Sequence, residues 1–271
     1  MSCHDDDYAG QALASKHGVC YVAANYRLGV LGFLAHPALS AEDEAAGSHK
    51  PHVHGSGNYA MLDIIAALRW VQRHGRSFGG DANNVTIWGL SSGAQYVATL
   101  LVSPLAEGLF HRAMMQSCVD LTNVRELRAR RDVWQGRTAE EWGAALGREL
   151  GCAGDDAAAL EALRKVPAAE IVGKSWCPEA NDCYEPCVDR RTSGQVVKPL
   201  TSLEALLAGQ VHRLPVMIDP TPTPTPTPDP TPTPNPNPNP TPDPGPNQVP
   251  DPEPDPDPGS PCACDDRRDV G

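Results

Sequence analysis

The sequence predicts an α/β fold built on a largely parallel sheet. Short β-branched or apolar runs alternate along the chain with segments of helical periodicity, which is the pattern of βα repeats. The run VCYVAAN (19–25) is apolar at most positions, as expected for a strand covered on both faces. A second run, VTIW (85–88), passes directly into Gly-x-Ser-x-Gly and then into a helical pattern.

The individual elements follow from local signals. Asn58 begins a strongly amphipathic helical pattern that ends at Gly79-Gly80-Asp81, and Thr138-Ala-Glu-Glu141 is a capping box that starts another helix. The predicted helices are Tyr8–His17, 58–78, Gly93–Val102, 138–151, Ala157–Lys165, one starting near Pro167, and Leu203–Leu207. The predicted strands are Val19–Asn25, Val85–Trp88, Ala113–Ser117 and Leu214–Ile218, and Glu42–His54 is predicted to be an exposed polar insertion.

Composition divides the chain of 271 residues into three parts. Of its 28 prolines, 20 fall between Pro220 and Pro261, where alternating proline excludes helix and sheet. We therefore expect a globular domain over 1–218, an extended and disordered proline-rich tail over 219–261, and a short cysteine-containing C-terminus over 262–271. The tail is interpreted either as a stalk, glycosylated on its threonines, or as a solvated segment with no specific partner.

Charge and apolar content exclude several classes of partner. A net charge of −12 argues against nucleic acid and against an anionic membrane surface. No apolar run approaches the ~18 residues of a membrane span. The acidic N-terminus lacks the basic and then apolar order of a secretion signal.

The cysteines and histidines predict neither a metal site nor a cofactor. The nine cysteines show no zinc-type spacing. Cys177, Cys183 and Cys187 are compatible with a local disulfide or with reduced thiols. His49, His52 and His54 lie in the polar insertion without a carboxylate or cysteine at ligand spacing, which favours a solvated loop.

Gly89-Leu-Ser91-Ser-Gly93 is the main candidate for chemistry. Between a strand and a helix, this motif predicts a tight, strained turn that exposes Ser91 as a nucleophile, and Gly89 and Gly93 leave room for it. The following helix aims its N-terminus at the site, so the backbone N–H of Ser92 is a candidate donor to an oxyanion. The alternative is a Ser/Gly-rich turn without catalytic meaning.

Three segments, ANYRLGVLGFL (24–34), 57–94 and SPLAEGLFHRAMMQS (103–117), resemble the type-B carboxylesterase family. With weaker blocks at 145–171 and 184–218, the resemblance covers about residues 7–218. It implies an α/β-hydrolase fold and hydrolysis of a small-molecule carboxylic ester, with Ser91 as nucleophile. It also places Ser92 where the family has an alanine that donates its backbone N–H. Many relatives are secreted, but the compartment stays open.

The departures from the family pattern predict an incomplete fold. The strands that carry the family's glycine-rich oxyanion loop, and the C-terminal part with its triad histidine, are not matched. The triad glutamate is also missing, which leaves Asp219 as the one acid surrogate. Leu90 replaces the glutamate usual before the serine, and the family's partner of Cys152 is replaced near Ala162.

These losses predict little turnover by the chain as written. His111 and His212 precede strands, which places them at the edge opposite the elbow. Val19–Asn25 and Val85–Trp88 also lose a shared neighbour, so we expect either marginal stability or a new pairing of these two strands. Two alternatives remain: a non-catalytic binding or adhesion module presented on the proline-rich tail, or an incomplete gene product.

Overall fold

A computed structural model describes residues 10–47, 53–118, 125–128, 137–175, 184–190 and 195–219. All of these belong to one compact unit that spans 1–223. The proline-rich tail beyond Asp219 and the C-terminal segment 262–271 lie outside the described residues, so the interpretations given for them stay predictions. None of the described helices has the length and apolar content needed to cross a membrane.

The described elements alternate between helix and strand along most of the chain. The helices are α1 Gln11–His17, α2 Gly29–Phe33, α3 Pro37–Gly47, α4 Tyr59–His74, α5 Ser92–Val102, α6 Ala139–Glu149, α7 Ala157–Leu163, α8 Ala168–Lys174 and α9 Ser202–Leu207. The strands are β1 Val53–His54, β2 Thr86–Leu90, β3 Arg112–Gln116, β4 Gln195–Val196 and β5 Val216–Asp219. Short 3₁₀ turns follow α4 and α5.

The main sheet has three parallel strands in the order β2-β3-β5, which confirms the predicted parallel α/β arrangement. Its register brings Leu90, Gln116 and Asp219 into line at the carboxyl ends of the three strands. A second, two-stranded parallel sheet joins β1 to β4. The carboxyl edge of the main sheet is therefore the one from which β2 leads into the Gly-x-Ser-x-Gly motif.

Helix α5 forms the centre of the hydrophobic core. Every residue from Ala94 to Val102 is buried, and the helix packs over β2 and β3. Helix α4 buries one stripe, with Met61, Ile65 and Leu68 inside, as its helical periodicity predicts. The predicted helices α6, α7 and α9 are also found, and the Thr138–Glu141 capping box is present.

The prediction of a strand at Val19–Asn25 is wrong. Residues 18–28 belong to no helix or strand, and the side chains of Val19 and Val22 are 43% and 53% exposed. A parallel strand needs a neighbour that supplies its ladder hydrogen bonds. In the described residues β2 pairs only with β3, and neither β2 nor any other strand pairs with 19–25. The segment therefore stays outside the sheet, and the new pairing with β2, one of the two alternatives expected from the sequence, does not form.

The prediction of an exposed insertion at Glu42–His54 holds only in part: Glu42 and Glu44 are exposed, but 42–47 is helical and His54 is buried. Residues 42–47 continue α3, and the Asp43 carboxylate accepts hydrogen bonds from the backbone N–H groups of Gly55 (2.9 Å) and Ser56 (3.0 Å). His54 is buried and forms part of β1. Glu42 and Glu44 remain exposed to solvent, whereas the half-buried Asp43 bonds to the segment that follows the helix. His49 and His52 lie outside the described residues.

Candidate active site

Ser91 lies at the junction of β2 and α5, in a backbone conformation that L-residues rarely adopt. Its φ is 54° and its ψ is −118°, and among the described non-glycine residues only Ser91 and Ser117 have positive φ. Its backbone N–H donates to the Gln116 carbonyl (2.9 Å), and its carbonyl accepts from the N–H groups of Ala94 (2.9 Å) and Gln95 (3.2 Å). The turn is thus fixed to the sheet on one side and to α5 on the other, and it leaves the Ser91 side chain exposed.

The two glycines of the motif have different surroundings. A Cβ atom on Gly89 would collide with the carbonyl group of Gly93 and would come within 2.7 Å of the Ala94 nitrogen. A Cβ atom on Gly93 would meet no atom within 4 Å. The space in the turn therefore requires glycine at position 89, whereas no described neighbour requires it at position 93.

Ser92 is the first residue of α5, which has 11 residues. The first-turn N–H groups of a helix have no acceptor inside the helix, and the helix dipole makes this end electropositive. Since Ser91 is the N-cap residue and makes no side-chain capping hydrogen bond, the Ser92 N–H lies beside an exposed hydroxyl. This end of α5 can donate to an oxygen that becomes negative next to Ser91.

Asp219 lies at the same edge of the sheet as Ser91. It ends β5 opposite Gln116, and its carbonyl accepts a hydrogen bond from the Ser117 N–H (2.9 Å). One strand, β3, separates it from β2, so about 10 Å separates the strand end at Leu90 from Asp219. The Asp219 side chain is exposed.

The two histidines next to the main sheet lie at its opposite edge. His111 precedes β3, and its Nδ1 accepts a hydrogen bond from the Val85 N–H (3.2 Å), at the entry to β2. His212 precedes β5, and its Nε2 lies 2.9 Å from the Ser103 carbonyl oxygen. Both imidazoles thus bond to backbone at the amino ends of the strands.

Several neighbours of the motif were not predicted from the sequence. Trp88 donates from its indole Nε1 to the Gln116 Oε1 (2.5 Å), across β2 and β3. One turn into α5, the buried Gln95 donates from Nε2 to the Glu185 Oε2 (2.9 Å), which ties the segment 184–190 to the helix that follows Ser91. The position of Gln95, four residues after Ser91, is the only sequence signal for this contact, because helical residues four apart lie on one face.

Other predicted positions are also accounted for. The Leu90 side chain is 45% exposed at the end of β2, and Cys152 is a buried free thiol. Cys187 is a buried thiol whose Sγ lies 3.5 Å from Asn58 Nδ2, whereas Cys177 and Cys183 lie outside the described residues. Within the described ranges, no group of three or more His, Cys, Asp or Glu side chains is placed to hold a metal ion.

Comparison with known proteins gives relatives that are named as esterases. The chain is 37% identical over 217 residues to fumonisin B1 esterase of Sphingopyxis macrogoltabida, which covers 78% of this chain and 34% of that protein. It is 47% identical over 115 residues to human carboxylesterase 3, which covers 42% of this chain and 18% of that protein. The chain thus spans about a third or less of the length of these two relatives.

Solved structures give the same fold. The carboxylesterase EST55 of Geobacillus stearothermophilus matches with a TM-score of 0.61 and 33% identity, over 78% of this chain and 39% of that one. A thermophilic pNB esterase matches with a TM-score of 0.63 and 29% identity, over 80% and 40%. The described fold is therefore part of an α/β-hydrolase fold. The model of the carboxylesterase family matches residues 1–218, and the chain belongs to that family.

Proposed function

We propose that this chain carries the nucleophile of a serine carboxylic ester hydrolase, and that Ser91 is that nucleophile. The observation that carries the proposal is the strained conformation of Ser91 at the junction of β2 and α5. Strain of this kind in a non-glycine residue persists only where the surroundings enforce it, and it is concentrated at functional sites. Membership of the carboxylesterase family supports an ester as the substrate.

In the proposed reaction, the Ser91 Oγ attacks the ester carbonyl carbon, and the backbone N–H of Ser92 donates to the resulting oxyanion. The tetrahedral intermediate then collapses to an acyl-enzyme, and the alcohol leaves with a proton. Water hydrolyses the acyl-enzyme by the same steps in reverse order. Each stage needs a base that takes a proton from the attacking oxygen and returns it to the leaving one.

The base is the part of the triad that the described residues do not bring to Ser91. His111 and His212 bond to backbone at the opposite edge of the sheet, and no imidazole of the described residues bonds to Asp219. A serine nucleophile that lacks its base loses several orders of magnitude in rate. We therefore propose that this chain alone turns esters over very slowly, with Asp219 as a weak surrogate for the triad acid.

Labelling with a fluorophosphonate tests the nucleophile without requiring turnover. We expect the folded wild-type chain to be labelled at one site, slowly because no described histidine takes the Ser91 proton, and Ser91→Ala to lose the label. Ser92→Ala is the matched control, because it keeps the backbone N–H at position 92 and should keep the label. Labelling that persists in Ser91→Ala, or a folded wild-type chain that does not react, would contradict the proposal.

A further inference from the structure

Arg125 is a buried cation in which two of the three guanidinium nitrogens have no hydrogen-bond partner. Its residue is 3% exposed, and its Nη1 donates to the Glu185 carbonyl oxygen (3.0 Å). Its Nε and Nη2 are buried and have no hydrogen-bond partner in the described structure. A guanidinium stays protonated at neutral pH, so a buried one without an anion is costly.

The two unused atoms form the side of the guanidinium that grips carboxylates. Arg27 in this chain uses Nε and Nη2 to bind both oxygens of Asp63, at 2.8 and 2.7 Å. Arg190 uses the same pair on Glu126, with Nη2 2.8 Å from Oε1. Two parallel N–H donors fit the two oxygens of a planar carboxylate. The Arg125 fork is thus built like these two but holds no carboxylate of the described residues.

The position of Arg125 connects it to the candidate active site. The Glu185 residue that fixes Arg125 through its carbonyl also accepts a hydrogen bond from Gln95, and the Gln95 backbone N–H bonds to the Ser91 carbonyl. The Arg125 Cζ lies 5.9 Å from the centre of the Tyr184 ring, which closes another side of the guanidinium. Burial lowers the pKa of Arg125, and an anion at the fork would offset that effect.

We propose that the Nε–Nη2 fork of Arg125 binds a carboxylate of a small-molecule ligand, so that the ester handled at Ser91 carries a free carboxyl group. The second half of this statement rests on the proposed function, and the first half does not. An ester with a second carboxylate would pair with the fork while its ester carbonyl lies at Ser91. A neutral ester would leave Nε and Nη2 of the buried Arg125 without a charged acceptor.

Thermal unfolding of the full chain with succinate tests the first half. A ligand that binds only the folded state at a hundredfold excess over its Kd raises the Tm by about 5–10 °C for a domain of this size. We expect this shift with succinate and none with dimethyl succinate, which has the same four-carbon diacid skeleton but no charge. Ser91→Ala should show the same shift as the wild type, because its fork is unchanged.

Two variants separate the fork from general effects of charge. Arg125→Met should lose the succinate shift and should unfold, without ligand, at the same temperature as the wild type or higher, because two buried nitrogens without acceptors have been removed. Arg27→Met removes an arginine whose fork is already occupied, so it should keep the shift. Should Arg125→Met fail to fold, Arg125→Lys, which has one ammonium and no fork, should bind succinate at least tenfold more weakly.

The second half of the proposal, that the ester carries a free carboxyl group, is tested by whether succinate protects Ser91 from labelling. Succinate should slow fluorophosphonate labelling of Ser91 in the wild type and should leave the labelling of Arg125→Met unchanged. A succinate shift without any labelling of Ser91 would overturn the proposed function but would support the fork. The fork proposal would be overturned by a wild-type chain that shows no succinate shift, by an equal shift in Arg125→Met, or by an equal shift with chloride.

Discussion

Ser91 illustrates how a single residue combines strain with position. Its backbone angles are in a region that glycine enters freely and that costs other residues of the order of 1–3 kcal/mol. The hydrogen bonds from its N–H to Gln116 and from Ala94 to its carbonyl hold it there. Stability is therefore given up at this residue so that a hydroxyl can stand exposed at the end of the strand.

This trade predicts that glycine stabilises the turn. Ser91→Gly should raise the free energy of unfolding by about 1 kcal/mol relative to Ser91→Ala, since alanine removes the hydroxyl but keeps the Cβ that opposes positive φ. Urea unfolding of both variants measures the difference. An alanine variant as stable as the glycine variant would show that the turn is not strained.

Gly89 and Gly93 give a second, matched prediction. Gly89→Ala forces a methyl group onto the Gly93 carbonyl and should cost about 1–3 kcal/mol of unfolding free energy. Gly93→Ala places its methyl group in open space within α5 and should be neutral or stabilising by up to about 1 kcal/mol. Equal losses in the two variants, measured by urea unfolding, would contradict this account of the turn.

His36 makes a pH-dependent contribution to the free energy of unfolding. Its ring is buried, and its Nδ1 accepts a hydrogen bond from the Ala38 N–H (3.2 Å) at the start of α3. Burial lowers the pKa of His36, although the carboxylates of Asp155 and Glu140 act in the opposite direction. The folded state thus favours the neutral ring, so this contribution is complete above the unfolded pKa of about 6.5 and is lost as the pH falls below it.

The corresponding experiment compares unfolding free energies from pH 8 to pH 5. The wild type should lose stability below about pH 6.5. His36→Asn, whose side-chain oxygen can accept from the same N–H but does not titrate, should lose less over that interval. Identical pH profiles for the two proteins would rule out His36 as the source.

At the scale of the elements, side-chain caps define where helices begin. Thr138 and Glu141 exchange hydrogen bonds at the start of α6, and Thr201 and Glu204 do the same at the start of α9. Glu204 also pairs with Arg190, which in turn binds the buried Glu126. The cap of α9 is therefore linked to an ion network through Glu204.

We expect Thr138→Ala and Thr201→Ala each to cost about 1 kcal/mol of unfolding free energy, the usual value of an N-cap threonine. Thr201→Ala should exceed this value, because it also frees the Glu204 that orients Arg190 against a buried carboxylate. Urea unfolding of Thr201→Ala, Arg190→Met and the double variant measures the coupling. Losses that simply add in the double variant would argue against it.

Periodicity and capping residues correctly predicted the helices that are stabilised by interactions between residues close in sequence. The apolar stripe of α4 and the Thr138 cap of α6 are found where the sequence indicates them. The prediction of a strand at 19–25 was wrong because a strand is stabilised by a neighbouring strand. The apolar residues of the segment do not indicate whether that neighbour is present. Helix α3 was missed because its polar residue Asp43 binds backbone N–H groups of the next segment, a contact that no periodicity reveals.

At the scale of the molecule, the main sheet has one poorly covered face. Helix α5 packs on β2 and β3 from one side. On the other side, Trp88, Met114 and Met217 form one row across the three strands, and Trp88 and Met217 are 48% and 63% exposed. Parallel sheets are normally covered on both faces, so this row is an exposed apolar surface.

This surface should bind a hydrophobic dye. We expect the wild-type chain to enhance ANS fluorescence and Met217→Lys to reduce that enhancement. Leu207→Lys is the matched control, because Leu207 on α9 is 80% exposed but is not part of the row. An equal reduction in both variants would show that the dye does not report on the sheet face.

The positions of the candidate site residues were predictable from the sequence, but the contacts around them were not. The order strand, Gly-x-Ser-x-Gly, helix predicts where Ser91, Ser92 and Asp219 lie relative to the sheet, since parallel strands end at one edge. Arg125, Glu185 and Gln95 come together from distant segments, and their contacts depend on how loops pack. These contacts could therefore be recognised only from the three-dimensional structure.

The parallel order β2-β3-β5 also bears on how fast the chain folds. No strand of this sheet pairs with a partner through a tight hairpin: Thr86 lies opposite Arg112, and Ala113 lies opposite Val216 across more than a hundred residues of chain. Closing such long loops costs entropy before any ladder bond is gained, and folding rates fall as contacts become less local. Refolding should thus be limited by the docking of β5, and α5 with β2 and β3 should form before it.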